Sequence, residues 1–179
     1  MSTPRLVIAT LAMSFAMTAM GAGSHQSGHG QGHGMSGGKP GEASEASRTI
    51  KIDMHDNYYE PESIDVKAGE TVRFVVSNKG SLVHEFNIGT PDMHEARRSE
   101  MMMLVEHGVI QGGTLNHDMM GMDMGSGHSM KQDDPNSILL EPGESKEVVW
   151  KFTGSGDIEF ACNVPGHYQA GMYGDVNVN

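Results

Sequence analysis

Residues 160–172 read Phe160-Ala161-Cys162-Asn163-Val164-Pro165-Gly166-His167-Tyr168-Gln169-Ala170-Gly171-Met172. Three metal-binding side chains recur at even intervals, in the pattern Cys-x4-His-x4-Met. The residues leading into this stretch, 157–162, read as a β-strand, so Cys162 ends a strand and His167 and Met172 fall on the loop after it. Pro165, Gly166 and Gly171 allow that loop to bend sharply and gather all three side chains around one point. Cys162 is the single cysteine of the 179-residue chain and has no partner for an internal disulfide. A lone cysteine is buried and inert, an intermolecular link, a nucleophile or a metal ligand, and its neighbours decide which.

A fourth donor must come from elsewhere. His84 lies in Val83-His84-Glu85-Phe86, in a strand-like run over 83–88 that belongs beside the Cys162 strand in a sandwich; His55 and His94 are the other upstream histidines. A thiolate and two imidazoles with a weak axial thioether is a donor set for copper cycling between Cu(I) and Cu(II): the sulfurs suit Cu(I) and the imidazoles suit both states. A structural zinc site asks for four strong ligands, and a thioether is not one. A Cys–His nucleophile needs an orienting group and oxyanion donors, and none is identifiable in the sequence.

Outward from this motif the chain reads as short strands. Ile50, Ile52 and Met54 alternate with polar residues, as do residues 63–66, and 71–77 is a strong strand around Val72, Phe74 and Val76. Residues 137–140, 147–152 and 173–178 repeat the pattern, with turn signals at Gly69, Gly80, Pro142-Gly143 and Gly154-Ser155-Gly156. About seven or eight such strands fit an antiparallel all-β sandwich or barrel. Between the two strand blocks lies an insertion, about 90–136. Thr90-Pro91 offers a helix N-cap followed by a first-turn proline. Met93, Arg97, Met101, Leu104 and Val105 fall near one face, and Gly108 offers a stop. Met101 to Met103 are expected to pack on this helix. The second half of the insertion, 117–130, is rich in methionine, with His117 and His128, and is expected to be flexible.

The N-terminus reads differently. Arg5 precedes an apolar run over 6–20 and the small residues Ala19, Gly21, Ala22 and Gly23, the pattern of an export signal over 1–23, and the run is short for a membrane span; a retained anchor is the competing reading. Residues 24–47, with His25, His29 and His33 among Gly, Ser and Gln, read as a disordered arm, and the folded domain is expected over 48–179. The net charge is −11, from 12 Lys and Arg against 23 Asp and Glu. That balance argues against nucleic acid, which needs a basic patch, and against docking on anionic lipid. It leaves cations and a basic redox protein as partners.

On these residues the sequence resembles the cupredoxin, or type 1 blue-copper, family, over about 48–89 and 137–179. The resemblance implies a cupredoxin-like Greek-key β-sandwich with a partly helical, Met-rich insertion. It also implies one type 1 copper held by His84, Cys162, His167 and Met172. The sequence is most similar to periplasmic copper-tolerance cupredoxins with His- and Met-rich additions. The expected function is one-electron redox in periplasmic copper handling, with further copper held weakly by the His- and Met-rich segments; the competing reading is a soluble electron carrier between respiratory partners. Enzymatic turnover is not expected: there are no His-x-His pairs for a trinuclear centre, no second cysteine for a dinuclear one, and no length for a second cupredoxin domain. Glu85 departs from the family's pattern, which places Asn or Ser after the upstream histidine, and leaves the metal's tuning open.

Overall fold

The structure is a computed structural model and describes residues 37–121, 130, 133–154 and 156–179. The expected signal over 1–23, the histidines of the arm and residues 122–129 lie outside the described residues. Ten strands build two facing sheets: β1 Gly38–Pro40, β2 Arg48–His55, β3 Tyr58–Glu60, β4 Ser63–Val66, β5 Thr71–Asn78, β6 His84–Gly89, β9 Ser137–Leu140, β10 Ser145–Phe152, β11 Ile158–Ala161 and β12 Tyr173–Val178. A small hairpin, β7 Ile110–Gln111 with β8 Thr114–Leu115, and the helices α1 Pro91–Glu106 and α2 His117–Met120 fill the insertion. One sheet runs β1-β10-β5-β2-β3 and the other β4-β12-β11-β6-β9. This is a two-sheet, mostly β sandwich, as the strand pattern of the sequence predicts.

Alternation explains the core. In β5 the buried residues Val72, Phe74 and Val76 point inward, and Trp150 and Phe152 of β10 do the same from the next strand. Phe86 of β6 and Phe160 of β11 meet them from the other sheet, with Phe74 and Phe86 rings 5.5 Å apart and Phe86 and Phe160 rings 5.7 Å apart. Burial of such side chains, roughly 1.5–3 kcal/mol each, holds the sheets face to face.

β6 and β11 are the exceptions to half-burial, since every residue from His84 to Gly89 and from Ile158 to Ala161 is buried. Phe86 and Ile88 face the core; the alternate residues Glu85, Asn87 and Gly89 face outward and are covered by α1, which packs against β6 and β11. Thr90 caps α1 by accepting from the Met93 N–H. The buried stripe of α1 is His94, Arg97, Met101 and Leu104, spaced as one helical face requires. Val105, Met102 and Met103 are exposed, so only Met101 of the three consecutive methionines packs.

Three features differ from the sequence expectation. The body of the fold starts before Arg48, because β1 pairs with β10 through Gly38↔Phe152 and Pro40↔Trp150, and Gly41 N–H donates to Val149 O. Gly and Pro carry no hydrophobic alternation, so a strand recruited by pairing alone is invisible in the composition of 24–47. The segment from His117 begins as ordered helix: Asn116 caps α2 through the Met119 N–H, and Met119, Met120 and Met130 pack against the core. β3 and the β7–β8 hairpin are too short to show a period.

On the rim, Glu70 ties β5 to its neighbours. It accepts from Arg48 Nε at 2.8 Å, Lys67 N at 2.9 Å and Ser47 Oγ at 3.0 Å. Burial pushes its carboxyl upward, but the bonds from Arg48, Lys67 and Ser47 outweigh it and hold the group below its ordinary 4.5. A carboxyl depressed in the fold stabilises it fully above the unfolded value and less as pH falls through the folded one. Glu70→Gln is therefore expected to lower the urea midpoint at pH 7 and to converge with the parent as pH falls from 4.5 toward 3. A constant gap across that range in urea titrations would contradict it.

Candidate metal centre

Cys162 and His84 are brought together by register. β6 pairs antiparallel with β11, so the residue opening β6 and the residue just past the end of β11 meet at one end of the sheet. The approach to His84 is fixed by Asn78, whose Nδ2 donates to Leu82 O and Leu140 O and whose Oδ1 accepts from Gly80 N. The loop after Cys162 closes on itself: Cys162 N donates to Met172 O at 3.1 Å, Met172 N to His167 O at 3.0 Å and Ala170 N to Gly166 O at 3.0 Å. Gly166 and Gly171 take positive φ, 92° and 97°, which L side chains resist.

His84, Cys162 and His167 place their donor atoms within 4.8 Å of one another. His84 Nδ1 and His167 Nδ1 are 3.1 Å apart, Cys162 Sγ lies 3.4 Å from His167 Nδ1 and 3.9 Å from His84 Nδ1. A point equidistant from these three atoms lies about 2.0 Å from each, the length of metal–imidazole bonds and near that of metal–thiolate bonds. The triangle fits a cation without rearrangement. Met172 is fully buried at the end of the same loop. His55 stacks on Tyr58 at a ring distance of 4.5 Å, and His94 faces Asn163 and Glu159 from α1; neither joins the cluster.

The electrostatics favour soft, neutral donors. Cys162 is fully buried, and burial pushes its thiol up to about 12; the Glu85 N–H on its sulfur at 3.3 Å works in the opposite direction. Desolvation lowers both His84 and His167, and the proximity of His84 lowers His167 further, so both rings are neutral at pH 7 and hold free lone pairs. His84 Nε2 sits 2.9 Å from Asp56 Oδ1. A carboxylate only accepts, so Nε2 carries the proton and Nδ1 is the free donor atom. Asp56 in turn accepts from Ser81 Oγ at 2.6 Å and Ser81 N at 3.0 Å. A Cβ on Gly80 would stand 2.4 Å from Asp56 Oδ1 and 2.8 Å from His84 Nε2, so this contact requires glycine there. Sequence reading missed Asp56, which has no motif spacing to His84; only pairing of β2's end with the 79–83 turn brings it near.

A family model described as "Cupredoxin-like domain" matches residues 8–110, the part that contains His84. The chain is a cupredoxin. Copper-resistant cuproprotein CopI of Pseudomonas aeruginosa is 49% identical, over 79% of this cupredoxin and 81% of that protein. The protein of the same name from Rubrivivax gelatinosus is 35% identical over 97% and 96%. Among solved structures, reduced auracyanin from Roseiflexus castenholzii superposes with a TM-score of 0.53 at 22% identity, covering 75% of this chain and 98% of auracyanin. Auracyanin B gives 0.56 at 22%, covering 80% and 96%. At that identity the two structures speak to the fold alone. The donor chemistry of His84, Cys162, His167 and Met172 is consistent with a type 1 copper site, and cupredoxins are non-enzymatic copper proteins.

A carboxylate behind a metal-binding imidazole raises the ring's basicity and fixes its tautomer. Asp56→Asn keeps the turn and removes the charge. It is expected to weaken copper binding about tenfold in competition titrations with a chelator; unchanged affinity would show that Asp56 serves only the Ser81 turn.

Proposed function

We propose that this cupredoxin is a periplasmic copper-handling protein that holds one copper with His84, Cys162, His167 and Met172 and contributes to copper tolerance. The observation that carries this reading is the triangle of two imidazole nitrogens and one sulfur with a centre at bonding distance from all three. Its support includes the names of the CopI relatives, copper-resistant cuproproteins in P. aeruginosa, R. gelatinosus and Vibrio cholerae. Export rests on the signal-like residues 1–23. Among the described residues no helix is long and apolar enough to cross a membrane.

A bound copper supplies one-electron exchange between Cu(I) and Cu(II). The chain's residues do the rest. Cys162 provides the charge, and its buried setting excludes water. His84, locked by Asp56, and His167 provide neutral nitrogens in a geometry already formed by the sheet and the loop. Met172, at the loop's far end, provides a soft sulfur. The segment 117–130 and the histidines at 25, 29 and 33 offer further weak copper ligands of the same soft or borderline types.

Half-buried His167 favours a second reading. Exposed Gly166, Gln169 and Ala170 surround it, and small interfaces of this kind serve transient redox encounters. On that reading the cupredoxin passes electrons between protein partners. Removal of residues 122–129 separates the two: a carrier keeps its electron-transfer rate and copper stoichiometry, whereas a copper collector loses capacity beyond the first equivalent in a titration.

The copper-loaded protein is expected to show intense visible absorption from thiolate-to-copper charge transfer. Cys162→Ala is expected to abolish it, and Met172→Leu to keep the colour and shift the reduction potential. Copper uptake with no colour would overturn the site. Normal growth of a Cys162→Ser strain in toxic copper would overturn the tolerance role.

A further inference from the structure

Glu85 is fully buried and directly follows His84 on β6. A buried carboxylate persists as an anion only where it is paired and fully hydrogen-bonded. Its two oxygens face different parts of the molecule. Oε2 accepts from Asn163 N at 3.2 Å and Asn163 Nδ2 at 2.8 Å, the residue after Cys162. Oε1 accepts from Arg97 Nε at 2.8 Å and Ser137 Oγ at 2.6 Å, in the insertion helix and at the start of β9.

Arg97 is itself anchored: Nη1 donates to Glu100 at 2.8 Å and to Asp134 at 2.9 Å, and Nη2 to Ser137 Oγ at 3.4 Å. Burial works against its charge, but Glu85, Glu100 and Asp134 outweigh it and raise its pKa. A neutral side chain at position 85 would need no counter-ion. Glutamate needs one, and α1 delivers it onto the outward face of β6.

We propose that Arg97 is a positioning residue for the metal centre. By pairing with Glu85 it holds that carboxylate against Asn163, and so fixes the strand end that presents Cys162. The insertion helix is on this account part of the copper site's support. The copper arm of the test rests on the proposed type 1 site; the amide arm does not.

The amide arm uses metal-free full-length protein and hydrogen exchange at the Asn163 N–H. Arg97→Met leaves the buried carboxylate unpaired, and exchange there is expected to rise about tenfold or more, the loss of a bond to a charged acceptor. Glu85→Gln with Arg97→Met removes both charges and is expected to recover most of the protection, because a missing pair costs less than an orphaned charge. The copper arm reads the charge-transfer band: it is expected to shift and broaden in Arg97→Met and to return toward the parent in the double variant.

Where Arg97→Met does not fold, Arg97→Lys takes its place. It keeps the charge, loses the planar fork, and is expected to raise Asn163 exchange and shift the band by smaller amounts. Asn163 exchange and band both unchanged in the folded variant, with only the melting temperature lowered, would overturn the proposal. So would a double variant as perturbed as Arg97→Met. Colourless copper-loaded parent protein would remove the type 1 site while leaving the amide arm to decide the clamp.

Discussion

To hold a metal, Cys162 would have to become an anion in a place that excludes water, and this conflict organises the rest of the molecule. The sulfur sits fully buried at the junction of strand and loop, with its thiol raised by burial to about 12. Only a cation close by makes the thiolate stable there. The flanking rings are uncharged for the same reason, and the peptide N–H groups of Glu85 and Val164 bond to the sulfur. The donors are held in place by sheet register and by a loop strapped end to end through Cys162 and Met172. The polypeptide thus sets the geometry and leaves the charge to be supplied.

The insertion changes what β6 is. In a sandwich with one open face, its outward side chains would meet water and alternate polar with apolar. Here α1 lies across that face and every residue of β6 is enclosed. The consequence reaches position 85, where a carboxylate shielded from solvent is stable only with Arg97, Ser137 and Asn163 around it. Helix and the loop after Cys162 are therefore joined through Glu85 as well as directly, where His94 meets Asn163 and Arg98 lies over the Tyr168 ring.

Much of this was legible in the sequence where the signal is local and periodic. Alternation marked β2, β4, β5 and β10; Thr90-Pro91 marked the start of α1; the spacing from Cys162 to Met172 marked the closed loop that carries Cys162 and His167 into one cluster. Features made by tertiary pairing left no such trace. Pro40 reads as a strand breaker, yet β1 forms because β10 offers it partners. Asp56 lies far from His84 in sequence and reaches it only because the end of β2 passes the 79–83 turn. His94 was absent from the expected apolar face of α1 and Val105 was included, because polarity hid one buried residue and suggested another. Arg97 was placed on the inward face, but a charged residue inside declares nothing about its counter-ion until Glu85 is seen opposite.

The short strand β1 has a bearing on how the chain tolerates shortening. Residues Gly38–Pro40 and the Gly41 N–H occupy the outer row of peptide groups on β10. A protein trimmed at Arg48, where the hydrophobic pattern starts, would bare that row beside Trp150 and Phe152. Bare flat margins of this kind recruit strands from other molecules. A stretch whose composition suggests a loose tether is thus a guard against self-association.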